Sequence, residues 1–168
     1  MNDLAHVLDR PHFIASPRSP VGHAERDLRD RQENFPLGAA KFPPPRVLVV
    51  DDEALLRWSL AEMLSAAGYE VVEARDGREA RLAFSDSEHP LAAMLLDLRL
   101  PDASGLQLLR EARARSMTCP IVLMTAYGSS DTVDAALTSG AVSVLSKPFD
   151  LDDMLRLVVQ LCPLSPGE

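Results

Sequence analysis

Five short apolar runs, each followed by a segment with helical spacing, most limit what this chain can fold into. The first, Val47-Leu48-Val49-Val50, is aliphatic or β-branched throughout, the pattern of a strand buried on both faces. Leu56, Leu60, Met63, Leu64 and Ala67 then recur at helical spacing, and Gly68 ends that helix. Residues 70–74 read as a second strand, with a helix through Ala80, Leu82 and Phe84 behind it. Residues 92–96 read as a third, followed after the Pro101 turn by a helix through Leu106, Leu109 and Ala112. Residues 120–124 read as a fourth, with a helix through Val133, Ala136 and Leu137 that stops at Gly140. Residues 141–145 read as a fifth, and Asp150 is placed to cap a last helix carrying Met154, Leu155, Val158 and Leu161. This alternation predicts an α/β domain: a parallel sheet with helices on both faces, because each right-handed crossover lays a helix against the sheet.

The domain so defined runs over 46–162, between a tail at 1–45 and a short one at 163–168. The first tail holds Pro11, Pro17, Pro20, Pro36 and the run Pro43-Pro44-Pro45, and its stretch 25–33 is almost all charged. It offers little apolar surface to bury, so disorder ending in a polyproline spacer is expected, with or without a role. No output domain is expected after Pro163. Residues 47–168 hold ten basic and nineteen acidic residues, an excess that argues against direct binding to nucleic acid or an anionic membrane. Cys119 and Cys162 stand far apart without metal-site spacing, and read as reduced thiols. No run is long enough to insert into a membrane, and no secretory signal is visible, so a cytoplasmic protein is expected.

Ligands of parallel α/β sheets bind at the carboxyl ends of the strands. Those ends carry Asp51-Asp52-Glu53, Asp97, Thr125 and Lys147-Pro148. An Asp after a strand often caps the next helix, and Asp51 alone would say no more than that. Several acids converging on one cleft repel each other unless a cation sits among them, and magnesium suits carboxylate oxygens. Lysine occurs in this chain only as Lys41 and Lys147, against fifteen arginines, so a lysine at a strand end points to a need for a compact ammonium. The Lys147–Pro148 bond is a natural place for a cis peptide. Threonine suits a strand in any case, but Thr125 stands where its hydroxyl can reach a group attached to Asp97.

In order and spacing, Val49-Val50-Asp51-Asp52-Glu53, Leu95-Leu96-Asp97, Leu100-Pro101-Asp102-Ala103-Ser104-Gly105, Met124-Thr125-Ala126-Tyr127-Gly128, Gly140-Ala141 and Lys147-Pro148-Phe149 resemble bacterial response-regulator receiver domains. Arg57-Trp58 and Thr125-Ala126-Tyr127-Gly128 look most like receivers of the nitrogen-regulation type. The resemblance implies a flavodoxin-like, doubly wound five-stranded sheet in the order 2-1-3-4-5. It implies that Asp97 accepts a phosphoryl group from a phosphohistidine on a histidine kinase or histidine phosphotransfer protein. Asp52, Asp97 and the Arg99 backbone carbonyl would ligate Mg2+, with Asp51 acting through water. Lys147 would pair with Asp97 and then with the phosphoryl group, and Thr125 would bond a phosphoryl oxygen. Such a domain is a signalling protein, not an enzyme, with slow autodephosphorylation. Its signal would reach a downstream protein through helix four, strand five and helix five, and homodimerisation is left open.

Two departures from the family stand out. Val144 occupies the position where an aromatic switch residue is usual, and an acidic residue used in dimer contacts is missing around Val142 and Ser143. The alternative reading is a haloacid-dehalogenase-type phosphohydrolase. That chemistry needs Asp-x-Asp on the first strand, which Asp51-Asp52-Glu53 does not present. A scaffold that is never phosphorylated would not need the acids together with Thr125 and Lys147, and no phosphate-cradling glycine motif is present. Trp58 lies off the stripe of Leu56, Leu60 and Met63, as either a docking anchor for the phosphodonor or a packing residue.

Overall fold

A strand that is apolar at every position must be covered on both sides, and the computed structural model shows how this is done. It describes residues 43–164, so the tail up to residue 42 and the last four residues lie outside the described residues. The elements are β1 (Arg46–Val50), α1 (Ala54–Ala66), β2 (Glu70–Ala74), α2 (Gly77–Phe84), β3 (Ala93–Asp97), α3 (Gly105–Ala114), β4 (Ile121–Thr125), α4 (Ser130–Thr138), β5 (Ser143–Ser146) and α5 (Leu151–Leu161). The strands form one parallel sheet in the order β2-β1-β3-β4-β5, as anticipated.

Successive side chains of a strand leave on opposite faces, and each face has its own helices. Leu48, Val50, Met94, Leu96, Ile121 and Leu123 pack with α2, α3 and α4 through Ala80, Phe84, Leu108, Leu109 and Ala136. Val47, Val49, Leu95, Val122 and Met124 pack with α1 and α5 through Leu60, Leu64, Met154 and Val158. Leu60 and Met154 are fully buried, so cutting either to alanine costs about 2–5 kcal/mol.

Local chemistry agrees with this layout. Asp76, Ser129 and Asp150 cap α2, α4 and α5 with their side chains. Gly68 and Gly140, both at φ +102°, turn the chain out of α1 and α4. Three readings are corrected. β5 pairs from Ser143 to Ser146, not over 141–145: the apolar run starts in the approach to the strand, where Ala141 is already packed. Leu82 and Leu137 face solvent. Ala80 and Phe84, four apart, share the inner face of α2, which turns Leu82 outward; Ala136 does the same to Leu137.

Candidate functional site

Because the sheet is parallel, the carboxyl ends of β1, β3, β4 and β5 share one rim. Carboxylate oxygens of Asp51, Asp52 and Asp97 lie there within 4.8 Å of one another. The buried polar residues among those described are Asp51, Asp97 and Thr125, all in this place, while Asp52 is exposed.

Asp51 is held on every side. Its amide donates to the Ala74 carbonyl, and its own carbonyl accepts from Arg57 at 2.8 Å. One carboxylate oxygen accepts the Glu53 amide at 2.9 Å, and the other accepts Lys147 Nζ at 2.7 Å. It does not cap α1, whose N-cap is Glu53. Lys147 stands 3.4 Å from Asp97, so it bridges the two buried acids with Asp51 the closer. Its backbone amide donates to the Thr125 carbonyl at 2.7 Å, tying the end of β5 to that of β4. The Lys147–Pro148 peptide is cis, as anticipated. Thr125 Oγ1 accepts the Tyr127 amide at 3.1 Å, which leaves the hydroxyl proton free to donate.

Three clustered carboxylates and one ammonium, which pairs with two of them, leave two negative charges in surplus. Two unit charges about 4 Å apart repel by about 4 kcal/mol at the effective dielectric of a partly buried site, so the surplus matters. It is felt at Asp97. Burial raises its pKa, Lys147 pulls it down, Asp51 pushes it up, and the net direction is upward. Lys147 is also raised: burial opposes its charge, but the hydrogen bond to Asp51 and the charges of Asp51 and Asp97 outweigh that.

A divalent cation with hard oxygen ligands fits this donor set. Arg99 and Ser104 face each other across a small antiparallel bridge. Its hydrogen bonds flank them, from the Gly105 amide to the Leu98 carbonyl at 2.8 Å and from the Leu100 amide to the Ala103 carbonyl at 3.2 Å. The bridge therefore does not consume the Arg99 carbonyl. α3 starts hard against the end of β3: a Cβ on Gly105 would lie 2.3 Å from the Asp97 carbonyl oxygen, so only glycine fits.

Around the acids lie groups that chain spacing does not reveal. Arg57 reaches back from α1 to the Asp51 carbonyl and also pairs with Glu73 at 3.2 Å. Its helical position just after the acids was the one available hint. Arg99 sits over the Tyr127 ring, 5.3 Å from its centroid. A cavity of about 400 Å³ opens beside Lys147, lined by Glu53, Leu56, Ala126, Pro148 and Phe149. Trp58 and Leu55 on α1 are 56% and 68% exposed. Val144 is half-buried and packs against the core on the α4 side of the sheet.

The chain is similar to known proteins. The chain is 41% identical over 115 residues to the regulatory protein AtoC of Escherichia coli, covering 68% of this chain and 24% of that protein. It is 39% identical over 116 residues to the transcriptional regulatory protein PdtaR of Mycobacterium tuberculosis, covering 68% of this chain and 55% of that one. The chain thus spans about half or less of the length of these relatives. Among solved structures, a response regulator protein from Burkholderia pseudomallei superposes with a TM-score of 0.61 at 30% identity, covering 70% of this chain and 66% of that one. That structure holds a phosphorylated aspartic acid and a calcium ion. The model of the response regulator receiver domain matches residues 47–159, and the chain belongs to that family.

Proposed function

We propose that this chain is the phosphoacceptor of a two-component phosphorelay. An Asp97 carboxylate oxygen attacks the phosphorus of a phosphohistidine on a histidine kinase or histidine phosphotransfer protein. The O–P bond forms as the P–N bond breaks, and the electron pair leaves with the imidazole, which takes a proton from water. Asp52, Asp97 and the Arg99 carbonyl would hold Mg2+, with Asp51 acting through water. A bound Mg2+ supplies neutralisation of the charge spread over the phosphoryl oxygens. Lys147 moves from its carboxylate pair to one phosphoryl oxygen, and Thr125 donates its free hydroxyl proton to another. The acyl phosphate then hydrolyses slowly.

The observation that carries this reading is the clustering of three carboxylates at one sheet rim, with the Lys147 ammonium bridging the two that are buried. The aspartyl phosphate and calcium of the Burkholderia pseudomallei structure support it by likeness. A haloacid-dehalogenase-type hydrolysis is disfavoured, because Arg99 stands two residues after Asp97 where that chemistry places an acid. Exposure to acetyl phosphate tests the reading: the chain takes up acid-labile, hydroxylamine-sensitive phosphate and Asp97→Asn takes up none. Uptake by the variant would place the acceptor elsewhere.

Output would pass through α4, β5 and α5 to a partner protein, or to a second copy of the chain. Val144 has no ring to swing between buried and exposed positions. The rearrangement there is therefore small, and amide shifts on adding beryllofluoride and Mg2+ measure it. Large shifts over 125–160 without a partner would contradict this.

A further inference from the structure

The first turn of α2 is capped from a distance. The Gly77 amide donates to Asp102 Oδ1 at 2.7 Å, and the Arg78 amide to Asp102 Oδ2 at 3.0 Å. The local cap, Asp76, serves only the Glu79 amide, at 2.8 Å. A helix start leaves its first amides without internal partners, and two of them here depend on a residue more than twenty positions away. The negative carboxylate also suits the positive end of the helix.

Asp102 lies in the segment 98–104, between Asp97 and α3. This segment carries the Arg99 carbonyl. It is anchored to β4 by the Leu98 amide, which donates to the Met124 carbonyl at 2.8 Å. Its far side leans on α2, and the contact has no slack: a Cβ on Gly77 would lie 2.7 Å from the Ala103 Cβ and 3.0 Å from Asp102 Oδ1. Further along, α2 is held to α3 independently by the two-bond Arg81–Glu111 pair. The dependence on Asp102 is therefore confined to the first turn.

We infer that Asp102 is a positioning residue for the metal-binding rim: by clamping the start of α2 it holds the 98–104 segment, and with it the Arg99 carbonyl, in place beside the acids. The inference rests on the magnesium site proposed above. It has a reciprocal consequence. If the clamped segment binds Mg2+ more tightly, Mg2+ strengthens the clamp by the same factor. Metal binding at the rim then orders the first turn of α2.

Magnesium titrations of the full chain, followed by amide shifts and by hydrogen exchange at Gly77 and Arg78, test this. Partners one step behind a ligand typically change metal affinity about tenfold or more, so Asp102→Ala weakens Mg2+ binding by about tenfold. In this variant, exchange at the two amides no longer slows on adding Mg2+. Asp102→Asn keeps one acceptor oxygen and falls between, and it carries the test if the alanine variant does not fold. Asp76→Ala loosens the same helix start without touching the acceptor segment, and leaves Mg2+ affinity unchanged. A folded Asp102 variant with unaltered Mg2+ affinity overturns the inference alone, as does an Asp76→Ala loss equal to that of Asp102→Ala. Absence of saturable Mg2+ binding by the unaltered chain overturns the metal site itself, and the inference with it.

Discussion

At the amino rim of the sheet, the Arg113 guanidinium gives four hydrogen bonds to backbone carbonyls: Met117 at 2.6 Å, Cys119 at 2.9 Å, and Gly140 at 3.2 and 2.8 Å. Gly140 makes room for it, since a Cβ there would lie 3.0 Å from Arg113 Nε. At the carboxyl rim, Asp51, Asp52 and Asp97 cluster around the proposed metal site, and the single ammonium of Lys147 reaches Asp51 and Asp97. Both rims withdraw charge from solvent, the amino rim in part and the carboxyl rim almost fully at Asp51 and Asp97. At the first, the donors are spent on carbonyls that need them, and two connecting segments, α3–β4 and α4–β5, are locked to α3. At the second, like charges stay in surplus, which lowers stability until a cation or a phosphoryl group changes the balance. Matched burial of this kind marks structure, and unmatched burial marks a site.

The largest effect expected from this contrast is on chemistry. Asp97→Asn abolishes phosphate uptake, yet it removes one of three crowded charges, so the metal-free domain stays at least as stable. Urea denaturation checks this, and a clear loss of stability would show that Asp97 is structurally matched after all. Arg113→Ala behaves in the opposite way. It strips the partner from three carbonyls and costs about 3 kcal/mol, while the folded fraction still takes up phosphate from acetyl phosphate. Equal loss of uptake and stability would erase the distinction between the rims.

The pH dependence of the metal-free domain is a smaller effect with a defined sign. The folded pKa of Asp97 is raised above the ordinary carboxylate value, so between the two the native state binds more protons than the unfolded state. Stability therefore falls as pH rises from the ordinary carboxylate value through the raised one. Lys147 has the same sign in the alkaline range: its contribution is full below the ordinary lysine value and is lost as pH rises through its raised one. Denaturation midpoints over acid pH, compared with those of Asp97→Asn, isolate the first contribution. An unaltered slope in the variant would assign it to another group.

Much of this was legible in the chain. Two-faced burial makes each central strand an unbroken apolar run, so the order of elements and the span of β2 could be read directly. Strand ends slipped by one or two residues where packing outruns pairing, as at Ala141 before β5. The rim residues were legible because acids, threonine and lysine are conspicuous at the ends of apolar runs. Which of them touch was not. The resemblance implied Lys147 on Asp97, whereas the shorter contact is to Asp51. Arg57 on the Asp51 carbonyl and Asp102 on α2 act across elements, through contacts that register and crossover geometry decide and that no local periodicity records.

The smallest expected change in stability comes from Trp58, and it sharpens the boundary of the carboxyl rim. The residue lies one turn into α1, just past the acids, with Leu55 beside it on the exposed surface. A large exposed aromatic next to a site that must receive another protein is a natural anchor. Substitutions at exposed positions usually shift stability by no more than about 0.5 kcal/mol, so Trp58→Ala folds and melts nearly as the unaltered chain does. Acetyl phosphate needs no docking surface, so uptake from it stays the same. A phosphorylated kinase does need one, and a lost anchor worth about 1.4 kcal/mol slows transfer by about tenfold. Parallel loss with both donors would place Trp58 in the support of the acids, and the functional region would then extend along α1 by structure instead of by contact with the donor.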